Sequence, residues 1–527
     1  MYSEIMSQVK WDGQLSRPFE ERQGIRQGGV SSPALYKSGR NKGLAQLDKN
    51  PSLYIGSLNI GAVMVADDLA IMAKCQDSMQ VSLSIAETDA SRERYLYNTE
   101  KTKIISINTK SDPKMELNNK ELGTSKKEKH LGIFRNIKNN NQDTIEARIK
   151  EARRAAYSLM GAGLYGLNGS GTEVGIELYS TYIVPMILYG LEALVLHPTD
   201  METLEAFHRR NLRHILHLPA SCSSAAVHLL SGVAPLEAQL HIRMLSMIRN
   251  IADTDGKQGP VKFLYEVVCR QAAMQTSDSS SWSTNVRRIL HNYDLPSIYT
   301  ILQGPPSAIK WKKITKEAVL SRWTEKLKSE AEDKPSLRFL KLEHLKLGRI
   351  HNSLKGDHDE HTVLKTTIAT KFLVRRYPLS TSHTSGKKRD TCPLCEEEAE
   401  DEMHFLLHCS ALRETRTPML TTILSLLRTR RESIDPARLT ELIINPDIIS
   451  NPSSLREACK TLIYKLHLQR SKIMNTAGPA QSRSNSKPRV KETIQASNTS
   501  QASNTSQASN TSQASITSQL QVTIKDY

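Results

Sequence analysis

Cysteines and long apolar runs are scarce in this 527-residue chain. Its seven cysteines show no even spacing, and no apolar core follows the first Met as a secretory leader would require. The most apolar run, residues 183–196, is shorter than the roughly 20 residues that cross a bilayer. Few, irregular cysteines without a leader are typical of a reducing compartment. The sequence therefore predicts a soluble intracellular protein, cytoplasmic or nuclear, with no membrane partner.

Acidic residues are also fewer than basic residues. The chain has 55 Asp and Glu against 71 Lys and Arg, which gives a net charge of +16. A balance this basic favours a polyanionic partner such as nucleic acid, although charge says nothing about fold. The length is sufficient for several domains.

Two adjacent carboxylates, Asp67 and Asp68, lie between two apolar, β-prone runs in residues 60–72. This pattern predicts a hairpin with the acids at or near its tip. Adjacent carboxylates repel each other unless a cation lies beside them, and oxygen ligands of this kind suit Mg²⁺. The dipeptide alone leaves an ordinary acidic turn open as the alternative.

Three further blocks accompany this pair. Residues 24–36 place three glycines before a helix start at Ser32-Pro33, and glycines let a backbone approach a ligand closely. Residues 98–107 bring Lys101 to the beginning of an apolar strand. Residues 129–133 are predicted to form a short strand with a glycine. Four ordered signals are far less probable by chance than one.

The order of these blocks resembles the reverse transcriptase of non-LTR, LINE-type retrotransposons, with its QGxxxSP, A-D-D, N-x-x-K-T and L-G blocks. In that family the paired Asp and a third, upstream Asp bind two metal ions, and the QG block lines the incoming nucleotide. The resemblance implies that Asp67 and Asp68 are catalytic Mg²⁺ ligands. It also implies that Gln27, Gly28 and Lys101 bind the nucleotide.

One departure concerns the third carboxylate. The glycine block follows closely after Met1, so the palm strand that carries the first catalytic Asp has no counterpart in this sequence. Asp12 precedes Gly13, and Asp-Gly between extended runs is a hairpin turn signal. Two-metal nucleotidyl transfer needs ions about 3.5–4 Å apart. We therefore expect a truncated RNA-directed DNA polymerase whose activity is impaired or absent.

A second chemical signal has the spacing C-x2-C-x8-H-x4-C, formed by Cys392, Cys395, His404 and Cys409. A closed set of four soft or borderline ligands predicts structural zinc, and clustered reduced cysteines are the alternative. The resemblance, which places the ligating pair as H-x4-C, favours His404 over His408. Similar knuckles lie near the C-terminus of many non-LTR retrotransposon polymerases.

The predicted fold is α+β. We expect a partial reverse transcriptase palm, an antiparallel sheet with helices, over residues 1–140, and a helical thumb over 141–220. A helical, basic connector would follow over 221–380, the zinc knuckle over 381–415 and C-terminal helices over 416–473. The tail, 474–527, contains a polar Gln-Ala-Ser-Asn-Thr-Ser repeat and is predicted to be disordered because it has little apolar surface to bury.

Two interpretations of the basic helices stay open. In the helix after Pro198, His208, Arg209 and Arg213 form a side that either faces solvent or contacts phosphates. Trp311, which lies among lysines, either stacks on bases or belongs to the core.

Two function classes follow from these observations. The first is a non-LTR reverse transcriptase remnant that binds Mg²⁺, an RNA template, a DNA primer and, if active, dNTP. The second is a non-enzymatic nucleic-acid-binding protein that uses basic helices and a zinc knuckle. Both predict salt-sensitive binding to nucleic acid.

Overall fold

The computed structural model describes residues 5–21, 28–50, 52–55, 57–109, 113–161, 171–253, 260–273, 281–356, 359–381, 391–428, 434–449, 453–476 and, as backbone, 519–524. These residues divide into two compact units. Unit 1 contains the described parts of residues 1–144, 256–279 and 513–527, and unit 2 contains those of 145–255 and 280–512.

The described strands are short. They are β1 (Met6–Ser7), β2 (Lys10–Trp11), β3 (Gln14–Leu15), β4 (Phe19–Glu20), β5 (Tyr54–Ile55), β6 (Leu58–Asn59), β7 (Ala62–Val65), β8 (Asp68–Ala73), β9 (Lys103–Ile107), β10 (Glu116–Leu117), β11 (Lys120–Glu121), β12 (Gly123–Thr124), β13 (Lys127–His130), β14 (Ile133–Asn136) and β15 (Gln519–Ile524).

The helices lie in both units and make up most of unit 2. They are α1 (Ser32–Leu47), α2 (Gln76–Arg92), α3 (Gln142–Met160), α4 (Thr172–Leu178), α5 (Val184–Leu188), α6 (Pro198–Ile215), α7 (Ser224–Ser231), α8 (Leu236–Ala252), α9 (Pro260–Ala273), α10 (Trp282–Asn292), α11 (Ile298–Gln303), α12 (Ala308–Glu332), α13 (Glu360–Leu373), α14 (Arg413–Leu426), α15 (Pro436–Ile444) and α16 (Ser453–Thr476).

Unit 1 is organised around a sheet with the strand order β12-β9-β15-β8-β7. β7 and β8 form an antiparallel hairpin, and β15 pairs antiparallel with both β8 and β9. β12 pairs parallel with β9, so the sheet is mixed at one edge, whereas the sequence predicted an antiparallel sheet. Apolar residues of β8, α2 and β9 pack together in one buried core: Leu69, Ile71, Ala73, Met79, Leu83, Ala86, Ala90 and Ile104.

Two local predictions, a turn at Asp12-Gly13 and a strand over residues 129–133, have different outcomes. Asp12 and Gly13 connect the paired strands β2 and β3 with positive φ values of 47° and 80°, as the Asp-Gly turn signal predicted. Residues 129–133, the L-G block, were predicted to form one short strand, and that prediction is only partly right: Lys129 and His130 end β13 and Ile133 begins β14. Leu131 and Gly132 have positive φ values of 49° and 86° and form the turn between β13 and β14. A glycine tolerates this backbone conformation without a steric penalty.

A buried polar cluster joins α1 to α2. The Arg40 guanidinium lies 4.1 Å from the centre of the Tyr95 ring, and its Nη2 donates to Tyr97 Oη at 3.3 Å. Asp89, which is 4% exposed, accepts hydrogen bonds from Arg92 and from Tyr95 Oη. Burial raises the pKa of the Asp89 carboxyl, and the neighbouring guanidinium groups oppose that shift. Helix packing at this point depends on a small residue, Gly43, opposite Asp89.

Replacing Gly43 with alanine is expected to destabilise unit 1 by about 1–3 kcal/mol, because the change overpacks a filled site. The added Cβ would lie 2.0 Å from Asp89 Oδ2 and 2.5 Å from its Cγ. Gly39→Ala is the matched control in the same helix, since no atom lies within 4 Å of its added Cβ. That control is expected to stabilise the helix by about 0.5–1 kcal/mol. Urea unfolding measures both, and equal midpoints for the two variants would contradict the packing.

Two residues of unit 2 bear on the open interpretations of the basic helices. Trp311 is 2% exposed and its Nε1 donates to the Leu245 carbonyl at 2.7 Å, which confirms the core interpretation. His208 lies in the interior, not on a basic face. Its Nδ1 is 2.7 Å from Tyr179 Oη and its Nε2 is 3.3 Å from the Ala234 carbonyl. Both ring nitrogens therefore have partners, so burial of the imidazole leaves no polar atom of the ring without a hydrogen bond.

One helical stretch of the described residues, Thr172–Ala193, is long and apolar enough to cross a membrane by length and composition alone. It begins well before the apolar run that the sequence analysis considered. Of its most apolar window, 44% is buried inside the protein. Tyr179 and Ile183 in this stretch are fully buried, as in a core helix.

The tail differs in part from the prediction of disorder over 474–527. α16 continues to Thr476, and residues 519–524 form β15. The physical reason is the sequence of this short segment, in which Leu520, Val522 and Ile524 alternate with polar residues as in a strand. Residues 477–518 and 525–527 lie outside the described part of the chain.

Candidate metal centres

The aspartate pair lies at the tip of the β7–β8 hairpin. Val65 pairs with Asp68, and Ala66, with a φ of +55°, and Asp67 form the turn between them. Asp67 is exposed and Asp68 is half-buried, whereas Leu69 and Ile71 behind them are fully buried. A packed strand thus fixes the backbone that carries two adjacent carboxylates at a surface accessible to a cation.

Lys101 is presented by a turn that Asn98 builds. The Asn98 Oδ1 accepts hydrogen bonds from the backbone N–H of Glu100 at 3.0 Å and of Lys101 at 3.1 Å. The Asn98 carbonyl accepts from Thr102 through its N–H at 3.0 Å and its Oγ1 at 2.7 Å. Asn98 and Thr102 are buried while Lys101 is exposed, so this turn directs the lysine outward immediately before β9.

The sheet register brings Asp68 and Lys101 to the same end of the sheet. Thr523 of β15 pairs with Ala70 on one side and with Lys103 on the other, so these two residues are level across the sheet. Asp68 and Lys101 each precede that level by two residues. Two strand spacings separate β8 from β9, a distance of about 10 Å. A carboxylate and a cation therefore lie at the same end of the sheet, an arrangement suited to a metal-bound phosphate.

The glycine block is described only in part. Gly28 has a φ of +84°, and an added Cβ would meet no atom within 4 Å. A glycine with open space on one side permits close approach of a ligand to the backbone, because no side chain lies in the way. α1 follows this block and packs against β7. Gln27, which the sequence analysis assigned to the nucleotide, lies outside the described residues.

The second centre brings four predicted ligands together. One ligand atom from each of Cys392, Cys395, His404 and Cys409 lies within 4.8 Å of all the others. The Cys392 and Cys409 sulfurs are 4.0 Å apart, and Cys395 Sγ is 3.3 Å from His404 Nε2. Zinc bonds of about 2.3 Å to sulfur and 2.0 Å to nitrogen imply tetrahedral edges of roughly 3.5–3.8 Å. The donor set and its dimensions therefore fit zinc.

Surrounding groups orient these ligands. His404 Nδ1 lies 3.3 Å from Glu398 Oε2, which leaves Nε2 directed at the cysteines. The His404 N–H donates to Asp401 Oδ1 at 2.7 Å, and Arg416 Nη2 donates to the Cys409 carbonyl at 2.9 Å. A carboxylate on the second ring nitrogen of a ligating histidine fixes the tautomer and increases ligand basicity. His408, in contrast, is exposed and does not belong to the cluster.

Two thiols of this cluster, those of Cys392 and Cys409, hold their protons more strongly than a free cysteine does. Burial, followed by the neighbouring thiols Cys392 and Cys395, raises the pKa of Cys409 to about 12. Burial likewise raises the pKa of Cys392. A bound divalent ion would replace these protons and remove the repulsion between thiolates, so the cluster suits a metal better than free thiolates.

A buried ion pair joins the Cys/His cluster to the last described helix. Glu400 is fully buried, and it accepts from Arg470 of α16 through Nε at 2.7 Å and Nη2 at 2.9 Å. The backbone N–H of Ser380 also donates to Glu400 Oε2 at 3.0 Å. Phe405, next to His404, lies with its ring centre 5.3 Å from that of Phe372 of α13. The cluster is thus part of a helical core.

Two comparisons with known proteins bear on this chain. Residues 1–134 match the family model of the reverse transcriptase (RNA-dependent DNA polymerase). A segment of 79 residues is 37% identical to the Retrovirus-related Pol polyprotein from type-1 retrotransposable element R2 of Nasonia vitripennis. That segment is 15% of this chain and covers 7% of the polyprotein. The matches support the predicted resemblance: residues 1–134 are similar to reverse transcriptases, and one segment is similar to the polyprotein of a non-LTR element.

Sequence reasoning missed two residues near the Cys/His cluster. Glu398 and Arg470 contact the cluster or its neighbours, and neither lies at a spacing that marks such a role. For Glu398, a carboxylate six residues before a histidine that is a predicted ligand is a weak signal. Arg470 is separated from Glu400 by 70 residues, and no local pattern connects them.

Proposed function

We propose that unit 1 is the metal- and nucleotide-binding part of a non-LTR reverse transcriptase, in which Asp67 and Asp68 hold Mg²⁺. The observation that carries this proposal is the hairpin that presents adjacent carboxylates inside a segment matched by the reverse transcriptase family model. The partners would be an RNA template, a DNA primer and dNTP, in the cytoplasm or nucleus. Gln27, Gly28 and Lys101 would bind the nucleotide.

Each residue has a separate role in this proposal. Mg²⁺, when bound, would polarise the phosphoryl group and lower the pKa of the attacking hydroxyl. Asp67 and Asp68 would hold the ion, and the buried strand behind them would fix their position. Lys101 would neutralise phosphate charge at the end of the sheet where Asp68 lies. Gly28 would let the backbone approach the nucleotide without a side chain in the way.

The small number of carboxylates in the central sheet limits the polymerase activity that we expect. Among the described strands of the central sheet, Asp68 is the one acidic residue. Two-metal phosphoryl transfer places a pair of ions about 3.5–4 Å apart, which two neighbouring carboxylates support poorly. We therefore propose that this chain by itself binds a divalent ion but extends primers weakly or not at all.

The Cys/His cluster is proposed to be a structural zinc knuckle. Cys392, Cys395, His404 and Cys409 would complete a tetrahedral shell and leave no position for a substrate. The support is the mutual distance of the four ligand atoms, together with the carboxylate on the second nitrogen of His404. Zinc would stabilise the fold of residues 391–409 and their packing against the surrounding helices.

A second candidate function is non-enzymatic binding of nucleic acid. The net charge of +16 and the knuckle both favour it. Such binding would weaken with salt in either case, so affinity alone does not separate the two candidates. Extension of an RNA-templated primer in Mg²⁺ does: any product that Asp67→Asn abolishes supports the polymerase, and strong extension would show that the two carboxylates suffice.

Divalent metal binding is the test of the aspartate site. Asp67→Asn together with Asp68→Asn is expected to weaken Mn²⁺ binding at least about tenfold, because both charged oxygen ligands are lost. Mn²⁺ titration followed by electron paramagnetic resonance measures the affinity. Asp77→Asn is the control, since Asp77 is exposed at the start of α2 and lies outside the hairpin. Its affinity should equal that of the wild type.

A further inference from the structure

The central sheet contains a slot that a distant part of the chain fills. β8, α2 and β9 are consecutive, and β8 and β9 run parallel but do not pair with each other. β15 lies between them. Its residues Leu520–Ile524 pair with β8, and Gln519–Thr523 pair with β9, antiparallel in both cases. A β-α-β unit split in this way has room for one antiparallel strand.

The edges of this slot need a partner strand. Leu69 and Ile71 of β8 and Ile104 of β9 have no exposed surface. If no strand lay between β8 and β9, the N–H and C=O groups that now pair with β15 would lose their hydrogen bonds beside this apolar core. Unpaired buried backbone groups are costly, and open strand edges pair readily with any extended chain.

The occupant has the sequence that such a slot requires. Gln519-Leu520-Gln521-Val522-Thr523-Ile524 alternates polar and apolar residues and contains no charge, glycine or proline. The preceding Gln-Ala-Ser-Asn-Thr-Ser repeat lacks that alternation of large apolar residues. Charges and prolines protect exposed edge strands from association, so their absence fits a strand with neighbours on both sides.

We propose that the gap between β8 and β9 is a strand-docking site and that the chain's own C-terminal segment, Gln519–Ile524, is its occupant. Backbone hydrogen bonds to both neighbours provide the affinity, and the extended, uncharged sequence provides the selectivity. The strand also sets the register that makes Asp68 level with Lys101. The proposal rests on strand pairing alone and does not depend on metal binding or polymerase activity.

Proline at position 522 of the full-length chain tests the docking. Val522→Pro removes an N–H and obstructs a central strand, so β15 should leave the slot. Amide hydrogen exchange at residues 69–73 and 104–107 is expected to accelerate at least about tenfold. Thr505→Pro, in the repeat, is the matched control and should exchange like the wild type. Val522→Thr keeps the N–H and the β propensity and should also behave as wild type.

Two additional arms separate the possible outcomes. Adding a synthetic Gln-Leu-Gln-Val-Thr-Ile peptide to the Val522→Pro chain should restore slow exchange, which a generally misfolded variant could not show. Unchanged exchange in Val522→Pro would overturn the proposal. Light scattering during size-exclusion chromatography gives the oligomeric state: a monomer supports docking within one chain. A dimer that Val522→Pro dissociates would show that a second copy supplies the strand, and would overturn the assignment.

Discussion

Cys392→Ser is expected to lower the zinc content of the purified protein from about one ion per chain to nearly none, because a structural zinc site needs all four ligands. Structural zinc contributes an apparent 10–16 kcal/mol in small zinc-finger peptides. Here the cluster packs against helices that have their own apolar contacts. We therefore expect local unfolding of residues 391–409 and a lower unfolding temperature. Elemental analysis and circular dichroism measure the two effects.

Two variants act as controls for the zinc ligands. His408→Ala changes an exposed histidine beside Cys409 and should keep its zinc, whereas His404→Ala should lose it. Cys75→Ser removes an exposed cysteine outside the cluster and should leave the zinc content unchanged. Loss of zinc in His408→Ala with retention in His404→Ala would mean that the ligand set is wrong.

Arg470→Met is expected to destabilise unit 2 by about 3–5 kcal/mol, because it leaves a buried carboxylate without its partner. Glu400 has no exposed surface, and Arg470 donates to both of its carboxylate oxygens. Burial lowers the pKa of the Arg470 guanidinium, but the hydrogen bonds and charge of Glu400 outweigh that effect, so the net shift of this pKa is upward. Denaturant unfolding followed by circular dichroism measures the loss.

An exposed ion pair is the matched control for this substitution. Arg438 of α15 pairs with Glu441, and the side chain of Arg438 is 47% exposed. Arg438→Met should cost less than about 1 kcal/mol, as is typical of surface pairs. In the double variant Glu400→Gln with Arg470→Met, the unpaired charge is gone, so part of the lost stability should return. A similar cost for both single arginine variants would show that Glu400 is not buried as described.

The features that the sequence predicted well depend on residues close together in the chain. The hairpin at Asp67 and Asp68 follows from two β-prone runs on either side of a short turn. The Cys/His cluster likewise follows from spacings of a few residues, which a turn and a short helix bring together. In both cases the local pattern contains nearly all the information that the local geometry needs.

The features that the sequence did not predict depend on distant partners. His208 belongs to an amphipathic helix with several cations, but its burial depends on Tyr179 and on the carbonyl of Ala234. β15 pairs with strands more than 400 residues earlier, and a repeat precedes it, so its own alternation was overlooked. Local periodicity specifies an element, but tertiary contacts decide where that element lies.

The most direct test of the central claim, that the hairpin aspartates hold a divalent ion, is the Mn²⁺ affinity of the full-length chain. We predict that replacing both Asp67 and Asp68 with asparagine weakens binding at least about tenfold while Asp77→Asn has no effect. Equal Mn²⁺ affinity in the wild type and the double variant would contradict the claim.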